Sequence, residues 1–238
     1  MAWGVNFNLL WVKAKGVGIL GMSKTAKKIH VDVCRIHKIF VPAATDSRTE
    51  QIQQLKQAIY RYRNQLLSKY LAQNIQNSDI QRNVHGKPFL TTFPQLQFNH
   101  SHSRQYYALA SSFELSDIGI DIEDLDRKVR FDALAQHAFH PNELKYWQDL
   151  EHDADYWFRV WTTKEAVLKA SGLGIRLSLN ELDTRMHPSA QGGLCHHPQI
   201  GHFAYQNFRL PDCMLTVAWR AAPSCAGFQF PQIDIIRH

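Results

Sequence analysis

The 238-residue sequence lacks the features that mark several common protein classes. It has only four cysteines (Cys34, Cys195, Cys213 and Cys225) and no C-x-x-C pair. Together with the lack of an export signal, this predicts reduced thiols, no disulfide and a cytoplasmic location. No G-x-x-x-x-G-K loop is present, which disfavours a P-loop nucleotide site. We find no low-complexity tract and no internal repeat.

The first 28 residues contain five lysines and no acidic residue, and Lys13 and Lys15 interrupt their apolar run. A signal peptide needs an unbroken apolar centre, and a membrane span needs about 20 apolar residues, so neither is predicted. We expect residues 1–27 to form a disordered extension and the folded domain to begin near Lys28. A surface-binding arm is the alternative.

The composition is that of an ordinary globular chain with 45% apolar residues, enough for a core of one compact unit or two small lobes. The net charge of +6 favours anionic partners. Charge alone does not choose among nucleic acid, a membrane surface, acidic proteins and phosphorylated cofactors.

Acidic side chains alternate with isoleucines in residues 118–123, I-G-I-D-I-E, which is the pattern of a half-buried strand. Asp121 and Glu123 then share one face and lie roughly 6.6 to 7 Å apart, close enough for a small cation to bridge them. The isoleucines would enter the core from the opposite face.

A helix is predicted over Ala154–Ser171, where Trp161, Glu165 and Lys169 recur four residues apart and therefore share a face. If this helix packs across the end of the acidic strand, Glu165 can supply a third oxygen ligand to the cation. Gly172 and Gly174 are expected to end the helix.

Periodicity and turn residues predict the other elements. We expect strands over 29–33, 106–112, 174–179, 202–208, 214–219 and 228–236, and helices over 49–74, 131–139 and 142–150. The cluster Cys195-His196-His197 with His202 could suggest zinc, but zinc sites use spaced pairs, whereas adjacent residues point apart. An exposed hairpin loop is the preferred interpretation.

Three blocks together resemble a known family. These are Gly86-Lys87-Pro88 with residues 98–103 (F-N-H-S-H-S), then G-I-D-x-E, and, about forty residues later, W-x-x-K-E-A-x-x-K. Their order and spacing over residues 86–175 resemble the 4′-phosphopantetheinyl transferases, and the length indicates the large, two-lobed Sfp-like subclass.

The resemblance implies an α+β fold of two pseudo-symmetric lobes, each a small antiparallel sheet packed with a long helix. Residues 28–112 would form the N-terminal, coenzyme A-binding lobe. Residues 113–238 would form the C-terminal lobe with the metal and catalytic residues. A cytoplasmic monomer is expected.

The resemblance also implies roles for individual residues. Mg²⁺, with Mn²⁺ as a substitute, would bind Asp121, Glu123 and Glu165. Glu165 would be the catalytic base, directly or through water, and Lys169 would stabilise or protonate the leaving phosphate. The predicted contacts to coenzyme A are Lys87, Ser101, His102, Lys164, Lys169 and Arg61, where Arg61 is chosen among three cations of one helix. His100 departs from the family's usual apolar residue; it is expected to face solvent, and a second phosphate contact is the alternative.

The implied reaction moves the phosphopantetheine arm of coenzyme A to a serine of an apo acyl or peptidyl carrier protein. It would release adenosine 3′,5′-bisphosphate. Two alternatives stay open: a family member that binds coenzyme A without turnover, and a basic nucleic-acid-binding module. The second is disfavoured because no basic and aromatic stripe is present, and neither nucleic acid nor membrane is an expected partner.

Overall fold

The structure, a computed structural model, describes residues 26–43, 47–222 and 228–238. Most of the predicted extension and Cys225 lie outside this range. The strands are β1 (Lys28–Arg35), β2 (Ile80–Arg82), β3 (Pro88–Leu90), β4 (Gln97–His102), β5 (Tyr106–Ser112), β6 (Gly119–Asp124), β7 (Gly192–His197), β8 (Gly201–Arg209), β9 (Cys213–Arg220) and β10 (Gln232–Arg237). The helices are α1 (Ile36–Ile39), α2 (Arg48–Leu71), α3 (Phe131–Ala138), α4 (Pro141–Asp149) and α5 (Ala154–Ser171).

Two four-stranded sheets form the centre of the molecule. The first has the order β10-β1-β5-β4 and is antiparallel except for the parallel pair of β1 and β10. The second has the order β6-β9-β8-β7 and is antiparallel throughout. A short β2-β3 pair stands apart. The predicted α+β class, with two small sheets and helices, is confirmed.

The sheets pack face to face, and each carries a long helix on its outer face. Ile29, Val31 and Val33 of β1 share one buried cluster with Ile120 and Ile122 of β6. The opposite face of the first sheet packs on α2, and the opposite face of the second packs on α5. The order of layers is therefore helix, sheet, sheet, helix, which buries both faces of both sheets.

The two long helices begin and end at recognisable caps. Ser47 and Glu50 form a capping box at the start of α2, and Asp153 accepts a hydrogen bond from the backbone N–H of Tyr156 at the start of α5. Ala72 takes a left-handed conformation after α2, which ends that helix three residues before the predicted limit. Gly172 does the same after α5, as predicted.

Two local predictions were wrong. Instead of the predicted strand over 174–179, Gly174–Arg176 and Leu179–Glu181 form short 3₁₀ segments, and the positive φ of 63° at Gly174 is incompatible with a strand at that position. The segment interpreted as an exposed loop is strand β7, in which His196 pairs with His202 across the sheet. Strand β7 forms by pairing with β8, whereas its own sequence begins with Gly192-Gly193, which does not favour a strand.

Strand β10 returns from the C-terminal half to the first sheet, where it pairs with β1. The division into lobes at residue 112/113 remains a prediction. Strand β10 belongs to the proposed C-terminal lobe by sequence but pairs with β1 of the proposed N-terminal lobe. Cys34, Cys195 and Cys213 are buried free thiols. Among the described helices, none is long and apolar enough to cross a membrane.

Candidate functional site

The site lies where the edge strands β4 and β6 meet beneath α5. The side-chain oxygen of Asn99 on β4 accepts a hydrogen bond of 3.2 Å from the backbone N–H of Ile120 on β6. This contact joins the two sheet edges side by side. Residues from three separate parts of the chain therefore converge here.

Gly119 explains how closely α5 approaches β6. A Cβ atom at this position would lie 2.1 Å from the carbonyl oxygen of Ala166 and 2.4 Å from the backbone nitrogen of Ala170. Only glycine permits this packing. Because Glu165 and Lys169 directly precede these alanines, the close contact places both side chains over the acidic face of β6.

Asp121 is the centre of a buried polar cluster. Its Oδ1 accepts hydrogen bonds from Ser101 Oγ at 2.9 Å and from Lys169 Nζ at 2.6 Å. Lys169 Nζ also donates to Ser101 Oγ at 2.8 Å, so the three side chains form a closed triangle. Asp121 Oδ2 is buried and has no hydrogen-bond partner among the described residues, which leaves one carboxylate oxygen available to a ligand.

Glu123 lies two residues further along the same face of β6. Its Oε1 accepts hydrogen bonds from Arg127 Nη1 at 2.6 Å and from Trp161 Nε1 at 3.2 Å. Burial and then the charge of Asp121 raise the pKa of Glu123. Trp161 and Lys169, the two ends of the predicted line on α5, thus both reach acids of β6.

Glu165 lies between those ends and is electrostatically linked to both acids. Its pKa is raised by burial first and then by the negative charge of Asp121, with a further contribution from Glu123. Lys169 and Arg127 act in the opposite direction. Three carboxylates therefore gather in a partly buried space, where the charge of Asp121 adds to burial in raising the pKa of both Glu123 and Glu165.

The three carboxylates are candidate ligands for a divalent cation. Within the described ranges there is no group of three or more His, Cys, Asp or Glu side chains arranged to hold a metal ion. The donor chemistry nevertheless fits Mg²⁺ or Mn²⁺, because the three side chains are carboxylates that repel one another and Asp121 Oδ2 is buried without a partner. Lys169 and Arg127 balance part of their charge.

A cavity of about 190 Å³ lies beside the cluster, between the segment 82–100 and the end of α5. Arg82, Lys87 and Lys169 contribute three cations to its wall, and His85 and His100 contribute two imidazoles. None of the described residues that line it is acidic. Such a wall favours a ligand that carries several negative charges.

Lys87 reaches the cavity from a turn in which Gly86 has a positive φ of 90°. Its Nζ donates a hydrogen bond of 2.7 Å to the carbonyl oxygen of Ala170 at the end of α5 and lies 3.9 Å from Asp117. Burial lowers the pKa of Lys87 to about 8, against the opposing effect of Asp117. The lysine thus connects the turn, the end of α5 and the cavity.

The structure brings together some of the predicted cofactor contacts and leaves others outside. Lys87 and Lys169 line the cavity, whereas Ser101 is buried against Asp121. His102 is exposed, with its Nδ1 3.3 Å from the carbonyl oxygen of Ser103. Arg61 is exposed on α2 and does not line the cavity.

Two cavity residues were missed or misjudged from the sequence. Arg82, which donates hydrogen bonds to the carbonyl oxygen of Gly86 and to the hydroxyl of Tyr60, had no sequence signal. His100 was expected to face solvent, but it is half-buried in the cavity wall, and its Nδ1 has no hydrogen-bond partner among the described residues. Burial, followed by the nearby charges of Arg63 and Lys169, lowers its pKa to about 3. The sequence signal for a role of His100 in the site was that a polar residue replaces the apolar residue usual at this position.

Lys164 does not join the other predicted residues. It is fully buried, and its Nζ forms a 2.8 Å ion pair with Glu143 and donates to the carbonyl oxygens of Leu179 and Leu182. Glu143 in turn accepts hydrogen bonds from the backbone N–H groups of His140 and Thr184. These contacts correct the predicted phosphate-binding role of Lys164, because its donors face the core beneath α4 and not the cavity.

Comparison with known proteins supports the resemblance. Residues 117–217 match the family model described as the 4′-phosphopantetheinyl transferase superfamily. This range contains the three carboxylates and Lys169, while Lys87 and Ser101 precede it. The matched segment is therefore the acidic strand, α5 and most of the second sheet.

Three curated relatives illustrate the similarity. A 4′-phosphopantetheinyl transferase of Aneurinibacillus migulanus, gsp, is 36% identical over 48% of each chain. The 4′-phosphopantetheinyl transferase Sfp of Bacillus subtilis (strain 168) is 31% identical over 45% of this chain and 47% of its own. HetI of Nostoc sp., also named a 4′-phosphopantetheinyl transferase, is 39% identical over 44% of this chain and 45% of its own. The chain spans about half the length of these curated relatives, and the matches confirm the resemblance to this superfamily and its Sfp-like subclass.

Proposed function

We propose that the chain transfers the 4′-phosphopantetheine arm of coenzyme A to a serine of an apo acyl or peptidyl carrier protein. The observation that carries the proposal is the Ser101–Asp121–Lys169 triangle beneath Glu165, placed beside a cavity lined by cations. The names of the matched relatives support the same activity.

In the reaction, the carrier serine oxygen attacks the phosphorus atom that bears the pantetheine arm. A new phosphorus–oxygen bond forms, and the bond to the bridging oxygen of the pyrophosphate breaks, which releases adenosine 3′,5′-bisphosphate. The serine proton passes to Glu165 or to a water held by it. Lys169 stabilises or protonates the leaving phosphate, since it lines the cavity proposed for the cofactor and contacts Ser101 and Asp121.

A divalent cation, Mg²⁺ or Mn²⁺, would be held by Asp121, Glu123 and Glu165. When bound, it would neutralise the negative charge that develops on the pyrophosphate oxygens. Burial and the charge of Asp121 raise the pKa of Glu165, which favours proton acceptance, whereas a bound cation would lower that pKa. A water between Glu165 and the serine would satisfy both conditions.

The cofactor would bind with its phosphates toward Lys87, Lys169 and Arg82 in the cavity. Ser101 and His102 remain proposed contacts from the family motif, with Ser101 already oriented by Asp121. Arg82 lines the cavity and the charge of buried Arg63 acts on His100 in its wall, whereas Arg61 is exposed on α2 outside the cavity, which supports Arg82 as a further proposed phosphate contact. The proposed protein is a cytoplasmic monomer that binds neither nucleic acid nor membrane.

The test is incubation of the full chain with fluorescent coenzyme A and several apo carrier proteins, with and without Mg²⁺. We expect carrier labelling and the matching mass gain only with the metal, and loss of both in Asp121→Ala. Binding of coenzyme A without transfer across the panel would support a non-catalytic family member instead. Oligonucleotide binding with a steep salt dependence that is indifferent to Asp121→Ala would support the nucleic-acid alternative.

A further inference from the structure

A second, larger depression lies on the outer side of the first sheet, around α1. Its volume is about 680 Å³, and its apolar surface comes from Ile36, Phe40, Pro42, Ile52 and Leu55. Ile52 is 59% exposed on α2, where a large aliphatic side chain gains nothing from contact with water. We call this depression the α1 groove.

Cations surround this apolar floor. Arg35, Arg48 and Arg104 line the α1 groove together with His37, and none of the described residues that line it is acidic. The Arg104 side chain is 71% exposed and that of Arg35 is 41% exposed, although each contacts an acid outside the groove, Asp126 and Asp212 respectively. A guanidinium group has five donors, so these arginines can bind a further carboxylate.

Hydrogen bonds connect one wall of the α1 groove to strand β6, which carries two acids of the proposed catalytic cluster. The turn between β4 and β5 forms one wall through Arg104 and Gln105. The backbone N–H of Gln105 and the hydroxyl of Ser103 both donate to Asp124, the residue that follows Glu123 on β6. A partner in the groove would therefore lie alongside the strand ends that carry Ser101 and Glu123.

We infer that the α1 groove docks an amphipathic helix with acidic side chains on the protein that accepts the transferred group. An apolar stripe would lie on the floor, and carboxylates of the same helix would reach the separate arginines. A small apolar anion has a single charged group and could contact only one of these separate arginines. This inference rests on the proposed transfer activity and names the surface through which the acceptor is recognised.

The experiment compares variants of the full chain in steady-state transfer to one apo carrier. Arg48→Glu and Ile52→Asp alter the groove, while Lys69→Glu on the same helix and Tyr146→Asp on α4 are matched controls at exposed positions. An acidic residue suits the first turn of a helix, and Ile52 is mostly exposed, so neither groove variant should unfold the chain. Thermal unfolding checks this directly.

We expect each groove variant to raise the KM for the carrier by about tenfold or more, which is a loss of about 1.4 kcal/mol. The KM for coenzyme A and the kcat should stay within about twofold. The control variants should leave all three constants unchanged. A benzophenone side chain at position 52, but not at position 146, should crosslink to the apo carrier.

Several results would overturn the inference. One is an unchanged KM for the carrier in both groove variants, and another is an equal rise in Lys69→Glu or Tyr146→Asp. Binding of laurate that Ile52→Asp abolishes, with carrier kinetics unaffected, would make the groove a small-ligand site. A wild-type chain that modifies no carrier would instead overturn the proposed function, and the docking assignment with it.

Discussion

Two faces of α5 use the same residue types in opposite ways. On the face toward β6, Glu165 and Lys169 meet Asp121, and the Lys169 side chain stays 30% exposed. On the opposite face, Lys164 is fully buried, and its ammonium group is surrounded by Glu143 and two carbonyl oxygens. One face keeps its charges incompletely paired at a cavity, and the other pairs them inside the core.

The difference shows how burial assigns function within one short motif. A fully paired buried lysine has no donor left for a ligand, so its contribution is to hold α4, α5 and the segment 179–184 together. A partly exposed lysine beside an orphaned carboxylate oxygen can exchange partners when a ligand arrives. Incomplete satisfaction of polar groups therefore marks the face suited to chemistry.

Among variants on the two faces of α5, Glu165→Gln on the face toward β6 should have the largest effect. Loss of the proposed base should lower kcat for transfer by about 10²–10⁴-fold, because proton removal from the carrier serine would lack an acceptor. Steady-state carrier modification measures this, with circular dichroism as the control for folding. Retained kcat would remove Glu165 from the role of base.

The same variant should also stabilise the metal-free protein at neutral pH. The pKa of Glu165 is higher in the folded than in the unfolded state, so the folded chain holds more protons between the two values and loses stability as pH rises through them. Glutamine removes this cost, and we expect the free energy of unfolding to rise by about 0.5–2 kcal/mol. Urea unfolding at pH 7 checks it, and the gain should shrink toward pH 4.

On the opposite face, Lys164→Met should lower the free energy of unfolding by about 3–5 kcal/mol, because Glu143 would remain buried without its cation. Transfer per folded molecule should change little. Urea unfolding measures the first quantity, and the double variant Lys164→Met/Glu143→Leu should recover part of the loss. A stable Lys164→Met protein with a raised KM for coenzyme A would return the phosphate-binding role to Lys164.

The smallest effect concerns Lys87, which bonds the end of α5 and also lines the cavity. Because its folded pKa is about 8, the ammonium charge that attracts phosphate is lost above that pH. The KM for coenzyme A should then rise by up to about tenfold per pH unit, and Lys87→Arg should flatten this rise. A profile that is flat from about pH 7.5 to 9.5 in the wild type would contradict the assignment.

Much of the site could be predicted because its signals are local. Alternation in residues 118–123 placed Asp121 and Glu123 on one face, and spacing of four along α5 aligned Glu165 with Lys169. The roles of Lys164 and His100 could not be predicted, since both depend on which neighbours bury them.

The sequence by itself determined the acidic strand, the long helices, the glycine end of α5 and the resemblance to one transferase family, because periodicity, helix-ending residues and motif spacing act over short stretches of chain. Only the tertiary structure decided that Gly119 brings α5 onto β6, that β10 joins the first sheet, and that Lys164 faces the core. Those features depend on packing between residues tens to hundreds of positions apart, and no local pattern encodes which surfaces will meet.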